Sequence, residues 1–241
     1  MRNKMWMRMI AGLFAFALIG AACSSETDTR AADRDNAAAA GSTTEDDSTS
    51  ATEATPTVDT PAASLLRDLT SLLDQHEYHA GLAVLTGVQA GGDLKDPTFK
   101  AAAGTLDDNS KDLAAMIGSV YGKPAEKAFL KLWRAHIGFF VDYTLGQATG
   151  NKSMVAEARK NLDGYRNDFG ALIEGATEGG LTQEQVADAL TPHVESTITA
   201  IDAVVAGDAS AFDKLRTAAG HLPHVATALS GAIVNQFPEK F

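Results

Sequence analysis

Residues 61–241 predict an all-α fold, six helices paired as three αα-hairpins in one helical bundle. Three observations carry this. Ala, Leu and Val recur at three- and four-residue spacing from Thr60 onward, the period of an amphipathic helix. Gly and Pro divide the region into stretches of helical length, and runs of alternating β-branched residues are absent. The same pattern of histidines and glycines then comes round three times.

In chain order, the first helix is expected over Pro61–Gln89, closed by Gly91-Gly92, and the second over Pro97–Tyr121, closed by Gly122. Thr60-Pro61 and Asp96-Pro97 each read as an N-cap followed by an N1 proline. The third runs over Pro124–Ala148 to Gly150, and the fourth over Lys152–Ala176, ahead of Gly179-Gly180. The fifth, Thr182–Ala206, opens on a capping threonine and ends at Gly207. The sixth spans Ala209–Asn235, ahead of Pro238. The hairpins are therefore about 61–121, 124–176 and 182–235.

His79, His136 and His193 stand 57 residues apart, twice, each followed by a glycine turn at Gly92, Gly150 or Gly207. In the second helices Phe99, Val155 and Phe212 correspond, as do Asp112, Asp168 and His224. Each hairpin then shows an apolar stripe that a neighbouring hairpin must cover. Three units without capping repeats favour a closed bundle over an open solenoid.

The histidines are where chemistry could lie. His136 falls on the stripe Phe129, Leu132, Phe140, Tyr143, and His193 on Val186, Leu190, Ile201. His76 with His79, and His221 with His224, are i,i+3 pairs that put two imidazoles on one helix face. With Asp112 and Asp168 offered from partner helices, these six histidines form a candidate set for copper or zinc, which imidazole suits. The alternative is structural: His79–Asp112, His136–Asp168 and His193–His224 as three clasps inside the hairpins. Trp133 with Phe139, Phe140 and Tyr143 is the densest aromatic patch, either core packing or the lining of a ligand pocket.

Ahead of the helices, residues 1–22 carry Arg2, Lys4 and Arg8, no acids, and an apolar run over Met9–Gly20. That run has the length of a signal-peptide core and is too short for a membrane span. It ends in Ile19-Gly20-Ala21-Ala22-Cys23, which resembles a lipobox with Gly20 where Leu is usual. Cys23, the lone cysteine, is then the lipidated N-terminus of an exported protein, anchored to the bacterial membrane on its extracytoplasmic side. Residues 23–60 read as a disordered acidic Ser/Thr/Ala linker, with Val58 as the only large aliphatic residue.

Removing residues 1–22 leaves 17 basic against 31 acidic residues, a charge of −14. Such a surface repels nucleic acid. With Cys23 as anchor, no disulfide forms within a chain. No phosphate-cradling Gly loop and no Gly-x-Ser-x-Gly elbow is present, so the domain reads as a binding or accessory module and not an enzyme.

The segments Leu132-Trp133-Arg134-Ala135-His136-Ile137-Gly138-Phe139-Phe140-Val141-Asp142-Tyr143-Thr144, Leu162-Asp163-Gly164-Tyr165-Arg166-Asn167-Asp168-Phe169 and Gln236-Phe237-Pro238-Glu239-Lys240-Phe241 resemble a group of exported bacterial helical proteins. Genomes label that group copper amine oxidase, or copper amine oxidase N-terminal-domain, proteins. The resemblance covers about residues 65–241 and implies copper as the metal. It does not carry an oxidase activity over. That chemistry needs a quinone made from Tyr after Asn, and none of Tyr78, Tyr121, Tyr143 and Tyr165 follows Asn. The group often has Met near the position of Leu222 or Pro223; its absence here leaves imidazole-rich Cu(II) or Zn(II) sites. The expected function is thus a lipid-anchored envelope protein that binds a transition metal through His76, His79, His136, His193, His221 and His224 with Asp112 and Asp168. The alternative is an accessory lipoprotein that binds another envelope protein.

Overall fold

A computed structural model describes residues 57–241. The expected signal segment, Cys23 and most of the linker lie outside the described residues. The linker's last residues are more ordered than expected. Thr57–Asp59 form a 3-10 turn, and the Thr60 hydroxyl donates to the Thr57 carbonyl at 3.2 Å.

The described residues are all-α, without a strand: α1 (Pro61–Gln89), α2 (Pro97–Tyr121), α3 (Lys123–Thr149), α4 (Lys152–Ala176), α5 (Gln183–Ala206), α6 (Ala211–Ala219) and α7 (Leu222–Gln236). Local chemistry fixes most starts. Thr60 accepts from the Ala63 N–H, and Asp96 accepts from the N–H groups of Thr98 and Phe99. Thr182 and Gln185 form a capping box at α5. Gly150 and Gly207 close α3 and α5 in the left-handed conformation that an L side chain resists.

The expected single sixth helix is corrected to two. Pro223 has no N–H to donate back along the chain, and its ring would meet the carbonyl of Ala219 in a continuous helix. The chain breaks at Gly220-His221 and restarts at Leu222, with the proline in the first turn, where its missing donor costs nothing.

From α1 to α6 each helix packs against the next, and α6 and α7 return onto α1, which closes the bundle. The larger core joins Leu69 and Leu73 of α1, Leu113 of α2, Phe129 and Trp133 of α3, Phe169 of α4, Leu190 of α5 and Leu222 of α7. A second cluster, including Phe140, Tyr143, Leu162 and Ile198, ties α3, α4 and α5 together. None of the described helices is long and apolar enough to cross a membrane.

Candidate functional site

Helices α1, α3 and α5 share one plan. In α1, α3 and α5 the N-terminal half packs into the larger core, and the C-terminal half lines a cavity of about 530 Å³. A histidine stands at the change-over in each: His76, His136 and His193, all buried. Each lies thirteen residues before the last residue of its helix, counting to Gln89, Thr149 and Ala206. His136 and His193 border both this cavity and a small void in the core, so the imidazoles form the cavity floor.

Below the floor lies an aromatic layer. The His136 ring stacks on Tyr165 at 4.7 Å and meets Trp133 edge-on at 4.6 Å. Trp133 also packs on His76 at 4.8 Å and stacks on Phe129 at 5.1 Å. Small side chains make the space above. Ala83, Ala103, Ala148 and Ala200 line a gap above the bulky layer, while the room beside Gly81 and Gly87 is taken by Leu215 and Phe99.

The floor is polar but carries little charge. His76 Nε2 and His136 Nε2 are 3.4 Å apart. Glu77, 1% exposed, accepts from the Thr197 hydroxyl at 3.4 Å and faces His193 Nδ1 at 3.9 Å. Burial pushes His76 down to about 3, reinforced by the nearby imidazoles of His193 and His79. Burial likewise takes His193 down to about 4, against the opposing pull of the Ala218 carbonyl, and holds His136 well below the usual range. Burial pushes Glu77 up to about 7, and the Thr197 hydroxyl pulls the other way. The floor thus holds three neutral imidazoles and a carboxyl that titrates near neutrality. The Nδ1 atoms of His76, His136 and His193 have no hydrogen-bond partner within the protein.

Two charged side chains on the wall neutralise each other: Arg134 donates to both oxygens of Asp107, at 2.6 and 2.9 Å. Tyr78, Leu82, Leu94 and Phe212 line the cavity and are also exposed, with Phe212 at 69%. They make an apolar rim, more than isolated surface residues would.

Of the sequence-predicted residues, His76, His136 and His193 come together. His79 does not line the cavity; it is half-buried, with its ring against Tyr78 at 5.5 Å. His221 is half-buried at the α6–α7 break, and His224, Asp112 and Asp168 are exposed. The expected clasps of His79, His136 and His193 to Asp112, Asp168 and His224 therefore do not form, because those three partners face solvent. Among the described residues, no three His, Cys, Asp or Glu side chains stand close enough together to hold a metal ion.

Sequence reasoning passed over Glu77 as a site residue because it has no counterpart in the other hairpins; Ile137 and Val194 follow the equivalent histidines. Its signal was the stripe Leu65, Leu69, Leu73, Glu77, a four-residue step that carries a carboxylate onto the buried face.

No family model matches the chain, and neither the curated proteins nor the solved structures contain a match.

Proposed function

We propose that this protein is a lipid-anchored envelope protein whose helical domain binds a small, largely apolar molecule, without catalysing its conversion. The observation that carries this is the cavity: about 530 Å³, apolar walls, an exposed apolar rim, and buried polar groups gathered at one end. Sites for small organic molecules have this size and this division between apolar wall and a few convergent polar groups. The lipidated Cys23 and acidic linker would hold the domain away from the membrane on its extracytoplasmic side. In a protein carrying Cys23→Ser, studied without detergent, Nile red should bind saturably. Ala200→Phe and Val204→Phe, which place a ring in the cavity, should each weaken that binding at least about tenfold while the helical circular dichroism persists. Non-saturable dye binding, or binding unchanged in both variants, would sink the proposal.

A second reading keeps the transition metal, copper or zinc. Its support is the 3.4 Å between the Nε2 atoms of His76 and His136, close to the separation of two nitrogens sharing a tetrahedral ion at ordinary bond lengths. Burial also keeps both rings unprotonated and able to offer a lone pair. A third donor would have to come from His193, Glu77 or a bound molecule. Titration with Cu(II) and Zn(II) should then show stoichiometric uptake that His76→Ala and His136→Ala abolish and that His79→Ala and His224→Ala leave intact. Uptake lost equally in all four variants, or absent from the parent, removes this reading.

A further inference from the structure

Among the described residues six large apolar side chains are exposed, and four of them, Tyr78, Leu82, Leu94 and Phe212, line the cavity above the histidine floor. Val58 and Leu66 are the other two. The four come from three places in the chain, α1, the α1–α2 connection and α6, so the pattern of no single helix accounts for them. A residue that lines a cavity and also meets solvent marks its mouth. This mouth is therefore where the domain concentrates its exposed apolar surface. The charged side chains beside it are paired. Arg134 holds both oxygens of Asp107, and Asp208 lies 3.7 Å from Lys214. What the mouth presents is hydrocarbon and one phenol, side chains that settle where lipid chains meet headgroups.

The tether decides which partner meets this surface. Residues 24–56 separate Cys23 from Thr57, and a segment of that length spans at most about 110 Å. Along α1, Pro61 to Leu82 is only about 32 Å. The tether outreaches the domain, so the mouth can turn to the bilayer that holds Cys23. A tether also makes the bilayer an intramolecular partner, and a contact too small to hold a free protein then suffices. We infer that the rim of Tyr78, Leu82, Leu94 and Phe212 docks on the bilayer in which Cys23 is anchored and opens the cavity toward its lipid chains. This rests on the anchored small-molecule reading above and names where the guest comes from.

The test uses the mature, lipidated protein in phosphatidylcholine vesicles whose acyl chains carry bromine, a contact quencher of tryptophan. The acidic surplus of the chain is repelled by anionic headgroups, so the probe surface is a neutral one. Cleavage before Cys23 removes Trp6 and leaves the buried Trp133 as background. Phe212→Trp puts a reporter on the rim, and Leu66→Trp puts one at an exposed apolar position outside the cavity. The rim reporter is expected to lose emission to the brominated chains, and the Leu66→Trp reporter to keep it. Tyr78→Glu with Leu82→Glu, added to Phe212→Trp, should restore the lost emission while the helical circular dichroism persists. Equal quenching of both reporters, the mark of a tether that favours no face, overturns the inference. So does quenching that survives the two glutamates, or a rim reporter left unquenched, including one shifted to the blue by a second copy of the chain on the rim. Each of these results leaves the small-molecule reading to its own test with Nile red. A mature chain without an acyl group on Cys23 removes the anchor, and this inference falls with it.

Discussion

Lowering the pH from 7 to 5 is expected to remove about 3–4 kcal/mol of folding stability. The source is the cavity floor. His76, His136 and His193 are buried neutral, with folded pKa values depressed below the ordinary 6.5. Their contribution is complete above the unfolded pKa and falls as pH drops, because the unfolded chain takes up protons that the folded chain refuses. Between pH 7 and 5 each costs about 2 kcal/mol. Glu77 acts in the opposite sense. Its folded pKa, raised to about 7, lies above the unfolded 4.5, so the folded state binds the extra proton as pH falls. That offsets about 2 kcal/mol over the same interval. Urea denaturation at pH 7, 6 and 5 measures the balance. Glu77→Gln removes the offset and should steepen the loss to about 6 kcal/mol. Stability that is flat or rising between pH 7 and 5 in the parent protein would show that the imidazoles are not held neutral.

Trp133→Ala should be the most damaging single change in the domain. The indole is 6% exposed and touches both layers: Phe129 and Phe169 below, His76 and His136 above. Truncating such a residue removes its transfer free energy and leaves a hole that rigid neighbours cannot fill, about 3–5 kcal/mol together. For a domain of this size that lowers the melting temperature by roughly 6–20 °C. Phe212→Ala is the matched comparison. That ring is large but 69% exposed, and its loss should change stability by no more than about 0.5 kcal/mol. Thermal melts of the two variants side by side decide whether the aromatic layer, and not aromatic content as such, holds the bundle.

The helices were legible because their signals are local. A three-and-four apolar period, a proline at the first turn and a glycine after the last each act within a few residues, and α1, α2 and α4 have the expected limits. The α6–α7 break was missed although Pro223 announced it, since the apolar period runs on through Leu222, Val225 and Leu229. The floor was half legible. Counting from histidine to histidine selects His79, because it assumes that each histidine stands equally far from the start of its helix. Here thirteen residues of α3 precede His136, whereas ten residues of α5 precede His193. Counting back from the helix ends selects His76 instead, and it is position along a rigid rod, not along the chain, that decides which side chains meet. The cavity was legible only as the option that the aromatic patch lines a pocket, and of that patch Phe140 alone lines it. It is made of what is missing, the side-chain volume that Ala103, Ala148 and Ala200 do not supply, and an unfilled volume leaves no periodic trace.

The nine residues of α6 have a thermodynamic consequence of their own. This helix buries only Ala211 and Ala218, and a helix so short holds little structure by itself in water. It sits on α1 where Gly81 leaves room for Leu215, between the turn at Gly207 and the break at Gly220-His221. Its backbone amides should therefore exchange with solvent deuterium through openings far smaller than global unfolding, while those of α3 and α4 wait for the whole domain to come apart. For the small molecule proposed above, such a wall would be a way in and out that leaves the aromatic layer undisturbed.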